Sequence, residues 1–271
     1  MFVKVIVLLL FILEVLNIFS YTLYRAKAGG KADFLIKKKA KQGEKMTYCL
    51  PGIQADPRES FKFLEYLTLQ RPDLMPGGIT YIRYNNRGFD PEQIARQIAK
   101  NIKKFEYEPY LISISIGDQI ARLVEQKVDN VKIIAINPAT NADSLVLENL
   151  FILQTKLVFM NILATFGGWL GNLKTIYTDD GYRQSISLYL DCLNCLAKSE
   201  LQVSSKATTG LVISCYDSIL DNRETILNFS YLKEDQVALV DTGHANTITG
   251  GVLYAEKMEQ LLQNFYSPKD A

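Results

Sequence analysis

Ser115, Asp217 and His244 each come shortly after a run of apolar residues. Together, a serine, an aspartate and a histidine can form an activated nucleophile. A serine hydroxyl needs a base to become a nucleophile near neutral pH, and an imidazole needs a carboxylate that fixes its tautomer. His244 is the only histidine among the 271 residues. It is therefore the one imidazole base available, and a metal site built from several histidines is excluded.

The sequence around Ser115 fits a sharp turn from a strand into a helix. Small residues stand two positions before it, at Ser113, and two positions after it, at Gly117. A larger side chain at either position would collide with the neighbouring helix or strand. The helix predicted to follow at once would direct its N–H groups and the positive end of its dipole towards the serine. Ser115 is therefore the predicted nucleophile.

Asp217 and His244 are weaker signals when each is taken by itself. An aspartate after a strand is more often a turn residue, and a lone histidine is more often structural. The order serine, aspartate, histidine along the chain nevertheless matches one known arrangement of a catalytic triad. The sequence predicts Asp217 as the acid, with Asp221 and Asp241 as substitutes.

The elements that must position these residues alternate between short apolar strands and amphipathic helices. Short β-branched runs separated by helices are typical of a parallel sheet that is covered on both faces. Strands are predicted at 46–50, 79–84, 110–114, 131–136, 211–215 and 236–240, and helices at 60–69, 91–105, 117–128 and 252–265. The carboxyl ends of parallel strands share one edge of the sheet, so we expect the three residues to meet there.

Residues 139–205 interrupt this alternation. Their first part, 145–170, is strongly apolar, and polar sequence with helical character follows it. We predict a helical insertion between two strands of one sheet, whose apolar side chains either cover a substrate pocket or pack among themselves. Glu148, Lys156 and Asn161 argue against a second membrane segment here.

The first 24 residues are predicted to be a membrane anchor or a signal segment. An unbroken apolar run covers residues 5–13, while Lys4, Glu14 and Asn17 interrupt the longer stretch. Ala26-Lys27-Ala28 would suit cleavage of a secretory signal, and a helix buried in the domain is a third interpretation.

Residues 25–45 are predicted to be a basic linker, with eight Lys or Arg against two acidic residues. Positive charge beside a membrane segment tends to stay in the cytoplasm. The prediction is therefore a single-pass anchor with the catalytic domain, residues 46–271, in the cytoplasm. Export after signal cleavage is the alternative.

Composition excludes several classes of protein. Thirty Lys plus Arg against 29 Asp plus Glu leave a net charge of +1, so a nucleic-acid partner is not expected. Four cysteines are too few for a disulfide scaffold. Cys192 and Cys195 have metal-ligand spacing but no second pair, so they are predicted to be ordinary thiols, and Cys49 and Cys215 to be buried small residues.

From the Pro51-Gly52 turn to the last helix the sequence resembles the α/β-hydrolase superfamily. Residues 49–56 resemble its oxyanion loop, 84–89 the segment after the next strand, and Asn137-Pro138 the end of the strand after the nucleophile. The 139–205 insertion stands where this family carries a cap. Departures from the family pattern are Pro51 for His, Ser113 for Gly and Asn85 for Asp.

The resemblance implies an α/β fold with a mostly parallel, doubly wound sheet and a helical cap. It also implies a serine hydrolase that forms an acyl-enzyme on Ser115, needs no cofactor or metal, and uses backbone N–H groups of Ile53 and Ile116 as oxyanion donors. A carboxylic ester with an acyl or lipid-like group is the expected substrate. The alternatives are an amidase or thioesterase with the same triad, and a catalytically silent member of the fold used for binding or scaffolding.

Overall fold

A computed structural model describes residues 31–52, 56–74, 77–84, 89–141, 144–146, 207–244 and 251–266, together with Ile12 and Leu196. The predicted membrane segment 1–24 lies outside the described residues except at Ile12, and so does most of the 139–205 insertion. The described part of the chain contains no helix long and apolar enough to cross a bilayer.

The described residues form one seven-stranded sheet, and its predicted mostly parallel character is confirmed. The strands are β1 (Ala32–Lys38), β2 (Lys45–Leu50), β3 (Gly78–Tyr84), β4 (Glu108–Ile114), β5 (Lys132–Ile136), β6 (Thr208–Ser214) and β7 (Val237–Val240). Their spatial order is β1-β3-β2-β4-β5-β6-β7. All neighbouring pairs are parallel except β1 with β3. The carboxyl ends of β2, β4, β5, β6 and β7 therefore share one edge.

Helices cover both faces of this sheet. They are α1 (Pro57–Ser60), α2 (Lys62–Gln70), α3 (Pro91–Phe105), α4 (Gly117–Glu125), α5 (Asn222–Asn228) and α6 (Gly251–Tyr266), with 3-10 turns at Pro72–Leu74 and Glu234–Gln236. Helices α3 and α4 bury their apolar side chains in one cluster with the sheet, and α2 and α6 bury theirs in a second cluster on the opposite face. Burial on both faces explains why the strand sequences are continuous apolar runs.

The prediction of a linker over residues 25–45 is wrong for β1. Ala32 to Ile36 pairs residue by residue with β3, from Ala32 opposite Tyr84 to Ile36 opposite Thr80. Side chains of β1 also pack on both faces, Phe34 in one apolar cluster and Leu35 in the other. The folded domain therefore begins no later than Ala32. The lysines that suggested a solvated linker are typical of an edge strand, where charge discourages pairing with a further chain.

Two local predictions need correction. The helix predicted over 60–69 is divided at Phe61 into α1 and α2, because Asp56 caps an earlier start and Pro57 occupies the first turn. Cys49 is buried as predicted, but Cys215 is exposed, because β6 ends at Ser214 and Cys215 already belongs to the following turn.

Candidate active site

Ser115 occupies the junction between β4 and α4. Its φ is +53°, in the left-handed region that residues other than glycine rarely adopt. Its backbone N–H donates to the carbonyl of Ile136 on β5 at 2.9 Å, and its own carbonyl accepts from Asp118 at 3.1 Å. A conformation of this kind costs about 1–3 kcal/mol and persists only where its surroundings enforce it.

The end of β2 lies against this junction and leaves no room for a side chain at Gly117, two residues after the serine. A β-carbon added to Gly117 would stand 2.5 Å from the carbonyl oxygen of Leu50 and 2.8 Å from that of Pro51. Gly52 is so close to the serine that an added β-carbon would meet the Ser115 Cβ at 3.4 Å. The predicted oxyanion loop thus begins directly beside Ser115. The Tyr84 hydroxyl holds it there by donating to the Pro51 carbonyl.

Ser113, which stands where the family has glycine, belongs to a buried polar network. Its side chain is fully buried, and its hydroxyl donates to Asp118 Oδ1 at 3.2 Å. The other carboxylate oxygen of Asp118 accepts from Arg122 Nε at 3.0 Å. The Arg122 guanidinium also donates to the Thr208 hydroxyl at 3.2 Å. Burial disfavours the charged guanidinium, but the Asp118 carboxylate outweighs this and raises the pKa of Arg122. The serine therefore fits because its hydroxyl has a partner.

The structure brings the three predicted side chains into one hydrogen-bonded chain. His244 Nδ1 lies 2.7 Å from Asp217 Oδ2, and His244 Nε2 lies 3.2 Å from Ser115 Oγ. A carboxylate can only accept, so Nδ1 carries the proton and Nε2 is the acceptor for the serine hydroxyl. The imidazole is 17% exposed, while the Asp217 side chain has no exposed surface. This arrangement can remove a proton from Ser115 and stabilise the resulting imidazolium.

Four donors surround the Asp217 carboxylate. Oδ1 accepts the backbone N–H groups of Ile219 and Leu220 at 2.8 and 2.9 Å. Oδ2 accepts from His244 and, at 2.7 Å, from Asn137 Nδ2. Burial would raise the pKa of Asp217, but the contact with His244 and the backbone donors outweigh it and hold the pKa below its ordinary value. Asp217 is therefore kept as a carboxylate.

A cluster of three buried hydroxyl groups joins the loops that carry the acid and the histidine. Ser214 Oγ lies 2.7 Å from the Tyr254 hydroxyl and 3.1 Å from Thr242 Oγ1. Thr242 and Tyr254 are themselves 3.1 Å apart. Each hydroxyl can donate once and accept once around this triangle. The ends of β6 and β7 are thus tied to α6, which fixes the distance between the two loops.

The structure describes one of the two predicted oxyanion donors, Ile116. Ile116 stands at the start of α4, and no residue of the described part of the chain accepts a hydrogen bond from its N–H. That N–H belongs to the residue directly after the nucleophile, the usual position for such a donor. Ile53 lies outside the described residues, as do Asn85 and the pair Cys192 and Cys195.

Neither substitute acid contacts the imidazole. Asp221 caps α5 by accepting from the Arg223 N–H at 2.8 Å. Asp241 is exposed and lies beside the Cys215 thiol, whose pKa is raised first by desolvation and further by the Asp241 carboxylate. Among the described residues, no three His, Cys, Asp or Glu side chains are grouped so that they could hold a metal ion.

Sequence reasoning missed Asn137 and the hydroxyl cluster. In the sequence Asn137 is recognisable only as part of an Asn-Pro pair at a strand end, because its contact with Asp217 joins residues 80 positions apart. Ser214, Thr242 and Tyr254 carry no spacing signal, because they come from β6, a loop and α6.

No family model matches this chain, and no curated protein sequence matches it. Solved structures do resemble it. A thermophilic esterase from Thermogutta terrifontis is 11% identical, with 87% of this chain and 95% of that chain covered and a TM-score of 0.59. A membrane phospholipase A, described as a bacterial virulence factor, is 16% identical over 98% of this chain and 99% of that chain, with a TM-score of 0.61.

An enol-lactonase from Burkholderia xenovorans LB400 is 9% identical, with 86% of this chain and 96% of that chain covered and a TM-score of 0.58. Identities this low carry information on fold and not on substrate. The parallel sheet, the strand-to-helix junction at Ser115 and these likenesses agree: this chain has the α/β-hydrolase fold.

Proposed function

We propose that this protein is a serine hydrolase that cleaves a carboxylic ester through Ser115, His244 and Asp217. The observation that carries the proposal is the continuous hydrogen-bonded chain from Ser115 Oγ through both imidazole nitrogens to Asp217 Oδ2. The 3.2 Å link from Ser115 Oγ to His244 Nε2 is within reach for proton transfer, and the 2.7 Å link to Asp217 orients the imidazole without transferring a proton. The esterase, lactonase and phospholipase of the same fold support hydrolysis as the reaction class.

The first half of the reaction would acylate Ser115. His244 Nε2 takes the hydroxyl proton as Oγ bonds to the substrate carbonyl carbon, and Asp217 stabilises the imidazolium through Nδ1. The imidazolium then gives its proton to the departing alcohol oxygen as the ester C–O bond breaks. In the second half a water molecule is deprotonated by His244, attacks the acyl carbon and releases the acid, and the proton returns to Ser115.

Charge that develops on the substrate oxygen would be stabilised at the start of α4. The Ile116 N–H has no acceptor among the described residues, and the helix directs the positive end of its dipole to the same place. One donor of this kind is commonly worth about 3 kcal/mol in the transition state. Ile53 from the neighbouring loop is proposed as the second donor, since Gly52 begins that loop beside Ser115.

An acyl or lipid-like ester is the proposed substrate class. The apolar first part of the insertion, residues 145–170, supports it, because an apolar cap would enclose an acyl chain better than it would enclose a polar group. The likeness to a membrane phospholipase A over 98% of this chain also supports it. An amidase or thioesterase with the same triad is the alternative, and parallel assays with an amide and a thioester of the same acyl group distinguish it from an esterase.

We also propose that residues 1–24 anchor the protein in a membrane, with the hydrolase domain in the cytoplasm. The apolar run and the eight basic residues after it support this orientation. Protease added to intact cells should leave the domain undigested. Digestion from outside would instead support export after signal cleavage.

The test of the proposed function is hydrolysis of p-nitrophenyl esters of increasing acyl length by the full chain. We expect turnover by the wild type and its loss in Ser115→Ala, while Ser230→Ala, which removes an exposed serine in the turn after α5, keeps full activity. Folded wild type that cleaves no ester, amide or thioester would favour the catalytically silent binding protein.

A further inference from the structure

Asn137 is a buried residue at the end of β5, the strand that lies between β4, which carries Ser115, and β6, which carries Asp217. Its φ is +42°, a left-handed conformation that asparagine tolerates better than most residues. Its backbone N–H donates to the Val212 carbonyl on β6 at 2.9 Å. The backbone of Asn137 is therefore fixed relative to the strand that presents the acid.

The side-chain amide of Asn137 has only one orientation that satisfies its neighbours. The backbone N–H of Ser214 donates to Asn137 Oδ1 at 3.0 Å. A backbone N–H cannot accept, so oxygen must face Ser214 and nitrogen must face Asp217. Nδ2 accordingly donates to Asp217 Oδ2 at 2.7 Å.

Asn137 and His244 share the same carboxylate oxygen, each at 2.7 Å. The other oxygen is held by the backbone N–H groups of Ile219 and Leu220. A donor on the shared oxygen restricts rotation of the carboxylate. It also reduces the negative charge that the imidazolium experiences, because hydrogen bonds to an ionised acceptor are strong and disperse its charge.

We propose that Asn137 is a positioning residue for the triad: it holds Asp217 Oδ2 towards His244 Nδ1 and weakens the attraction of that carboxylate for the imidazolium. The proposal deepens the proposed function and rests on it for its catalytic consequence. Without Asn137, the carboxylate would bind the imidazolium more tightly and would be less well fixed in direction.

Other ionisable groups in the surroundings have their own partners and are unchanged by the substitutions below. Asp221 caps α5, and Asp241 interacts with Cys215 on the solvent side. The Tyr254 hydroxyl from α6 contacts Ser214 and Thr242, and burial raises its pKa.

The single histidine makes a direct test possible, because every imidazole signal in a nuclear magnetic resonance spectrum belongs to His244. The full-length protein would be titrated as wild type, Asn137→Ala and Asn137→Asp. The matched control is Asn222→Ala. It removes a side-chain amide that donates to the Ser214 carbonyl at 3.0 Å. That carbonyl also accepts the backbone N–H of Asp217 at 3.2 Å, but the Asn222 amide is not among the four donors to the Asp217 carboxylate.

We expect the midpoint of the His244 titration to rise by on the order of 0.5 pH unit in Asn137→Ala. A larger rise is expected in Asn137→Asp, where a second carboxylate faces Asp217 while the acceptor for the Ser214 N–H is kept. The Asn222→Ala midpoint should equal that of the wild type. A purely structural role for Asn137 would lower the stability of Asn137→Ala without moving its midpoint.

In hydrolysis, kcat of Asn137→Ala should fall between about 10- and 100-fold with little change in KM, because the loss is one of orientation. The acid limb of its pH profile should move to higher pH. Unchanged midpoints in both Asn137 variants would overturn the inference even if the wild type is an active hydrolase. Because the titration needs no substrate, shifted midpoints in a protein that cleaves nothing would support the contact and refute the proposed function.

Discussion

Replacing Asp118 by alanine would leave the guanidinium of Arg122 in the core without its carboxylate. The Asp118 side chain has no exposed surface, that of Arg122 is 4% exposed, and the two are joined at 3.0 Å. The Thr208 hydroxyl at 3.2 Å and the Phe229 ring at 5.1 Å would remain beside Arg122, and both are neutral. Glu125 also raises the pKa of Arg122, but less than Asp118 does, so it does not replace the lost carboxylate. Breaking a buried pair in this way costs about 3–5 kcal/mol, a large part of the roughly 5–15 kcal/mol that stabilises a domain.

Removing both charges should be much less damaging than removing one. In the double variant Asp118→Leu with Arg122→Met no ion remains to be solvated, and apolar side chains fill the space. The Ser113 hydroxyl would keep the Ile134 carbonyl, which it now approaches at 3.5 Å. We expect the double variant to be at least about 2 kcal/mol more stable than Asp118→Ala.

An exposed pair of the same spacing provides the control. Arg96 and Glu92 are also four residues apart on a helix, at 3.2 Å, but their side chains are 66% and 39% exposed. Arg96→Ala should therefore change the free energy of unfolding by less than about 1 kcal/mol. Urea unfolding followed by circular dichroism measures all three variants at constant m-value. If Asp118→Ala is no more destabilising than Arg96→Ala, or the double variant is as unstable as the single one, the reasoning about this buried pair is refuted.

Three further predictions concern the candidate site. Asp217→Asn should lower kcat for ester hydrolysis by about 10⁴-fold, because an amide neither holds the required tautomer of His244 nor stabilises the imidazolium. A loss of kcat below about tenfold would mean that another group serves as the acid. The pKa of Asp217 is held below its ordinary value of 3.8 in the fold, so its contribution to stability is fully present above that value and is lost as the pH falls through the lower folded value. The difference in urea midpoint between wild type and Asp217→Asn should therefore narrow below about pH 4. A difference that widens below about pH 4 would mean that the fold raises the pKa of Asp217 instead of lowering it. Gly117→Ala should cost about 1–3 kcal/mol, because its β-carbon meets backbone oxygen at 2.5 Å. Gly243→Ala should unfold like the wild type, because among the described residues its β-carbon would approach only the Tyr216 carbonyl, at 3.9 Å.

The alternation of strands and helices was predictable because this sheet is buried on both faces. In a strand such as β4, six of the seven residues are buried and most are apolar, and a helix such as α3 shows apolar residues at regular helical spacing. The positions of Ser115, Asp217 and His244 could be predicted for the same reason. Each follows a strand whose end is clear in the sequence, and parallel strands end at a common edge.

Features that depend on contacts between distant segments could not be predicted. β1 is an edge strand whose lysines have the composition of a linker, and only its pairing with β3 identifies it as part of the sheet. Asn137 acquires its contact with Asp217 because β5 and β6 are neighbours in the sheet, although 71 residues, 137–207, separate the end of β5 from the start of β6 in the chain. No local pattern encodes which side chain meets the acid.

The identity of the activated residue is the central claim, and labelling with a fluorophosphonate probe tests it most directly. The probe reacts with serines that a neighbouring base activates, and mass spectrometry of the digested protein locates the adduct. We predict one adduct, on Ser115, that is abolished in His244→Ala as well as in Ser115→Ala, while Ser230→Ala is labelled like the wild type. An adduct on another residue, or labelling of Ser115 that persists without His244, would contradict the account.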